Sequence, residues 1–77
     1  EGLHARPAGI LAKAASQYQS KIELRAKGVT KNAKSIMSIL ALGLEQGDEV
    51  EILADGQDES DAVNSLRSLL ESNFETA

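Results

Sequence analysis

The residues best equipped for chemistry stand at the start of the chain, in Gly2-Leu3-His4-Ala5-Arg6-Pro7-Ala8, which holds the only histidine and sets an arginine two residues beyond it. A neutral imidazole nitrogen is a nucleophile available near neutral pH, since its unperturbed pKa is about 6.5. The nitrogen–phosphorus bond it forms is labile enough to pass the group on. His4 is therefore suited to carrying phosphate and not to storing it. Arg6 adds a guanidinium fork that stays protonated and matches phosphoryl oxygens. Pro7 is tolerated only in a first helical turn, where its missing N–H costs no hydrogen bond, so a helix is expected to start within a residue or two of Ala5. His4 then occupies the cap position, and the unpartnered N–H groups of Ala5 and Arg6 point toward whatever the ring carries. The ring nitrogen nearer the backbone, being nearer those amides, is the expected phosphoryl acceptor. The proline also disfavours helical angles at Arg6. A lone histidine ordinarily packs or solvates a surface, an exposed arginine solvates a helix, and a proline punctuates; it is the three together that indicate a phosphoryl site.

The whole chain narrows the alternatives. Seventy-seven residues make one domain with a small core. With no cysteine there is no disulfide, thiol nucleophile or thiolate zinc site, and one histidine makes a metal site a poor expectation. No metal or other cofactor is expected. No apolar run approaches the roughly twenty residues of a membrane span, and no signal-peptide pattern is visible, so the chain is read as cytoplasmic, without membrane insertion. Its net charge of -4, with one Tyr, one Phe and no Trp, excludes nucleic acid as an expected partner. The charge is uneven: positions 1–34 hold seven Lys or Arg and two acids, and the remainder ten acids and the single base Arg67. A basic face around His4, drawing acidic partner proteins, is expected.

Periodicity supplies the elements that must position these groups. Ala8, Leu11, Ala15 and Tyr18 recur at helical spacing, so residues 5 to about 18 read as an amphipathic helix with Lys13 on its polar side. Ile22, Leu24 and Ala26 alternate with Lys21, Glu23 and Arg25 as a strand with one wet face, Lys27-Gly28 signals a turn, and Val29–Ala33 reads as a returning strand. Ser35 is an N-cap candidate for a short apolar helix that Gly43 stops. Ile36, Met37, Ile39, Leu40 and Leu42 cannot all face inward from so short a helix, and Ile36, Met37 and Leu40 are expected to form an exposed apolar patch. Gln46-Gly47-Asp48 is a turn, Glu49–Ala54 a strand, and Asp58 an N-cap candidate for a last helix carrying Ala62, Val63, Leu66, Leu69, Leu70 and Phe74. Three strands and three helices imply an α+β open-faced sandwich, an antiparallel sheet with the helices on one face.

Two separated motifs, Gly2-Leu3-His4-Ala5-Arg6-Pro7-Ala8 and Asn32-Ala33-Lys34-Ser35-Ile36-Met37 followed by Leu42-Gly43, resemble the phosphorylation site and the regulatory-serine helix of the histidine-containing phosphocarrier (HPr) family of the phosphoenolpyruvate-dependent sugar phosphotransferase system. The similarity covers essentially the entire chain. It implies that His4 takes a phosphoryl group from phosphorylated enzyme I and gives it to an enzyme IIA component, so that the chain is a carrier and not a free-standing catalyst. It further implies phosphorylation of Ser35 by an HPr kinase/phosphorylase, with a catabolite-control transcription factor as a regulatory partner. Ala5, Gly9, Lys13, Lys34, Ile36, Met37 and Leu40 are the expected docking surface. A regulatory adaptor of the same fold acting through phospho-Ser35 is the alternative, although retention of His4 favours the carrier; a third reading is an HPr-like domain of a larger phosphotransferase protein.

The family's domains begin with a strand that this chain lacks, an edge beside the strand matching Glu49–Ala54. A shortened or processed form, or a domain cut from a longer polypeptide, is inferred, with lowered stability or dimerisation through the 49–54 edge as the expected result. Phosphate on Ser35 is welcome at a helix N-cap, so its effect is expected on docking: a charge of about −2 opposes burial of the patch beside it.

Overall fold

The computed structural model describes residues 5–44 and 47–71. Along them run α1 (Ala5–Ser16), β1 (Lys21–Ala26), β2 (Val29–Asn32), α2 (Ile36–Ala41), β3 (Glu51–Asp55) and α3 (Glu59–Glu71). The order is the one periodicity implies, with β3 displaced toward the C-terminus of the expected 49–54 span. Gln46 and Phe74 lie outside the described residues.

The sheet has the order β2-β1-β3, with both neighbours antiparallel to β1. Leu24 stands opposite Ile52 and Ile22 opposite Ala54, so one face is apolar. Against it pack Ala8, Leu11 and Ala15 of α1, Ile39 of α2, and Ala62 and Leu66 of α3. All three helices therefore cover one face, giving an open-faced α+β sandwich. Each fully buried Leu or Ile side chain stabilises this arrangement by about 1.5–3 kcal/mol, and Leu11, Ile22, Leu24, Ile39 and Leu66 are such residues. On the uncovered face the alternation turns Lys21 toward Asp55 and Arg25 toward Glu51. There Arg25 donates through Nη2 and Nε to Glu51 Oε1 at 2.7 and 3.0 Å. Among the described residues β3 pairs with β1 alone, so its outer edge is open there.

Two polar connections fix the loops. The β1–β2 turn places Lys27 and Gly28 at φ 57° and 77°, the left-handed pair a two-residue hairpin turn requires. Lys27 Nζ donates to the Gly43 carbonyl at 2.8 Å and lies 3.2 Å from Asp48 Oδ2, which ties the hairpin tip to the exit from α2.

The second connection changes the role expected of Asp58. The residue does precede α3, and its carbonyl accepts the Ala62 N–H at 3.0 Å. Its carboxylate, however, accepts the Gln19 and Ser20 N–H groups at 2.9 and 3.0 Å and the Ser20 hydroxyl, joining the α1–β1 loop to the start of α3. The Ser20 hydroxyl first, then the Gln19 amide, hold the Asp58 carboxyl below its ordinary value of 3.8. A carboxyl lowered on folding adds stability that is present above its unfolded pKa and is lost as pH falls through the folded one. Urea melts should therefore place the native chain above Asp58→Asn at about pH 7, with the gap closing as pH falls below the ordinary value of 3.8. A gap independent of pH would show that the charge on Asp58 contributes nothing.

Candidate functional site

Helix α1 opens at Ala5 and carries Pro7 within its first turn. The helix runs through Arg6 even so, because the first turn is where a proline disturbs least. The N–H groups of Ala5 and Arg6 fall in the turn for which helical geometry offers no acceptor. His4, the residue before this helix start, lies outside the described residues, as do Gly2 and Leu3. The Arg6 side chain is exposed.

Residues three and seven positions after Arg6 lie on the same helical face. These are Gly9, half-buried, and Lys13, exposed, while Ala8, Leu11, Ala12 and Ala15 take the buried face. A Cβ placed on Gly9 would lie 3.8 Å from Ile36 Cδ1, so α2 flanks this stripe. Arg6, Gly9, Lys13 and Ile36 thus share one continuous surface.

Helix α2 presents the apolar part. Ser35 caps it from an extended conformation, its hydroxyl accepting the Ser38 N–H at 3.3 Å and its carbonyl the Ile39 N–H at 3.0 Å. Gly43, at φ 61°, ends the helix in the left-handed region where glycine meets no Cβ penalty. Ile39 and Leu42 are buried, whereas Ile36 is 44% and Met37 76% exposed. The patch expected here is therefore Ile36 and Met37. Leu40 is only at its margin, since it is half-buried and packs on the core one turn beyond Ile36.

One expected residue gains a second role, and one expectation needs correction. Lys34, read as a docking cation, directs its Nζ to the Tyr18 carbonyl at 2.8 Å while its N–H is held by Asn32 Oδ1 at 2.9 Å. Its ammonium ties the entry to α2 to the end of the α1 segment. Nor do the cations of the first half form one basic face around the helix start. Strand alternation sends Lys21 and Arg25 to the wet side of the sheet, opposite acids, and Lys27 sits at the hairpin tip; Arg6 and Lys13 are the ones on the α1 stripe.

A family model described as the PTS HPr component phosphorylation site matches residues 1–72. The chain belongs to the HPr family. It is 45% identical over 73 residues to phosphocarrier protein HPr of Mycoplasma genitalium, a match covering 94% of this chain and 83% of that protein. Its fold is similar to a crystal structure of HPr from Thermoanaerobacter tengcongensis, with TM-score 0.90, 45% identity, and 95% of this chain and 82% of that one covered. It is similar as well to Bacillus subtilis Crh, a catabolite repression protein whose crystal structure shows a swapped dimer, with TM-score 0.87, 37% identity, and 92% and 82% covered. HPr membership makes the chain a phosphocarrier of the phosphotransferase system, a carrier protein and not a catalytic enzyme. No helix among the described residues is long and apolar enough to cross a membrane.

Sequence reasoning missed the Lys34–Tyr18 tie. Its one local sign is Asn32 two residues before Lys34, the spacing at which an Asn side chain captures a backbone N–H.

Proposed function

We propose that His4 accepts a phosphoryl group from phosphorylated enzyme I and passes it to an enzyme IIA component of a sugar transporter. The observation that carries this reading is a helix that starts at Ala5, directly after the sequence's only histidine, with an exposed Arg6 in its first turn. A ring nitrogen attacks phosphorus, the donor's bond to phosphorus breaks, and the reverse displacement follows on the acceptor. In both steps the Arg6 fork and the amides of Ala5 and Arg6 neutralise the charge on the PO3 group in flight. The nitrogen nearer the backbone is the proposed acceptor, the one that an imidazole at the cap position would bring closer to those amides. Because the amides and Arg6 are positioned before the reaction, little reorganisation accompanies it.

The test is to incubate the chain with enzyme I, magnesium and phosphoenolpyruvate labelled on phosphorus, and to ask whether the incorporated label is lost in acid. Acid-stable incorporation would sink the proposal. Arg6→Ala should slow transfer by about 10- to 150-fold, as expected for loss of a charge-assisted hydrogen-bond donor worth about 1.5–3 kcal/mol. The fold should be unaffected, since the side chain is exposed. Unaltered rates in that variant would remove Arg6 from the site.

Docking belongs to the stripe formed by Gly9, Lys13 and the Ile36–Met37 patch, onto which enzyme I and enzyme IIA settle in turn. Ser35, the cap of α2, is the regulatory position, modified by an HPr kinase/phosphorylase and read by a catabolite-control transcription factor. Its phosphate interferes with docking by placing charge at the edge of an apolar surface that must lose water. Ser35→Asp carries part of that charge and should raise the KM for the carrier in the enzyme I reaction by about tenfold, equivalent to about 1.4 kcal/mol. Equal transfer kinetics would count against regulation at this step. The presence of His4 favours the carrier over an adaptor acting through Ser35 alone.

A further inference from the structure

Sulfur chemistry in this sequence is confined to one atom: it contains one methionine, Met37, and no cysteine. That methionine is the most exposed of the large apolar residues among those described, at 76%, and it adjoins Ile36 on the proposed docking stripe. An open thioether is readily oxidised, and its sulfoxide is polar, chiral and reducible by dedicated enzymes. We propose that Met37 is a modification site at which a peroxide switches the apolar patch off. The inference rests on the reading of Ile36 and Met37 as a docking surface.

The chemistry closes on its own. A sulfur lone pair attacks one oxygen of hydrogen peroxide, the oxygen–oxygen bond breaks, the thioether loses two electrons to become a sulfoxide, and the peroxide is reduced to water. The product replaces a flexible apolar surface with an acceptor oxygen that holds water, and a partner covering it must remove that water without offering a matched donor. The fold need not notice, because α2 is anchored through Ile39 and Leu42 and capped by Ser35, while Met37 faces solvent. A readily oxidised group lies where an apolar contact is needed, and outside the core.

The full chain should be treated with hydrogen peroxide until its mass has gained one oxygen, mapped to Met37, and then assayed as acceptor from phosphorylated enzyme I. The KM for the carrier should rise by about tenfold with kcat within about twofold, the thermal melt should be unchanged, and methionine sulfoxide reductase should restore the original KM. Met37→Leu, whatever its own KM, should keep it through the same treatment. Met37→Asp separates the two readings. If aspartate raises KM and the sulfoxide does not, docking stands and the switch is overturned. If neither change alters KM, the docking reading falls and takes the switch with it.

Discussion

A His4→Ala chain is expected to take up no acid-labile phosphate from phosphoenolpyruvate and enzyme I, its label falling to background while a kinase-dependent, acid-stable label on Ser35 persists. The effect is complete because no other group can substitute. The sequence has one histidine and no cysteine, and the remaining nucleophiles, hydroxyls and protonated amines, are weak at neutral pH without an activating base. Arg6 and the free amides of the first turn would still form an anion-binding end, so phosphate-bearing donors could approach without reacting. Transfer to enzyme IIA should vanish in parallel, since donation needs the same ring. The decisive measurement is the acid and base stability of the label in native and variant chains side by side. Acid-labile incorporation into His4→Ala at the native level would sink the assignment of His4.

Gly56→Ala is expected to have the largest effect on stability. A Cβ at this position would lie 2.6 Å from both Cα and Oγ of Ser20 and 2.9 Å from its Cβ, and one of those atoms is backbone that cannot rotate away. Ser20 is itself 1% exposed and held through its N–H and hydroxyl by Asp58, and the Gly56 N–H is bound to Glu59 Oε1 at 3.1 Å. Making room means separating the α1–β1 loop from the entry to α3. Overpacking of this kind costs about 3 kcal/mol, which for a chain of this size lowers Tm by about 12–24 °C. The junction lies past the far end of α1, a helix about 18 Å long, so phosphoryl acceptance at low temperature should survive. A variant melting with the native chain would show that the two backbones do not approach this closely.

The parts of the fold that were legible in advance are those whose cause is local. Alternation at Ile22, Leu24 and Ala26, the Ser35 cap, the Gly43 stop and the Pro7 limit on the start of α1 each act within a few residues, and each element appears where they put it. That a short helix could not bury all its apolar side chains followed from counting them; Ile36 and Met37 are exposed as expected, while Leu40, expected with them, packs on the core. What escaped depended on distance along the chain. Asp58 binds a loop nearly forty residues earlier, Lys34 reaches back to Tyr18, and the cations of the first half part company because a strand faces two ways. Local spacing gives a side chain's direction within its own element but not the partner that folding brings to it.

The pairing of Arg25 with Glu51 across the uncovered side of the sheet, with Lys21 opposite Asp55 farther along, has a consequence for how the molecule works. Between these positions Leu53 stands half-buried opposite Glu23, so that side shows a visiting protein hydrated charge of both signs around a partly shielded leucine. Covering that side would strip water from those charges, whereas the helical side offers Ile36 and Met37, whose exposed hydrocarbon gains by leaving water.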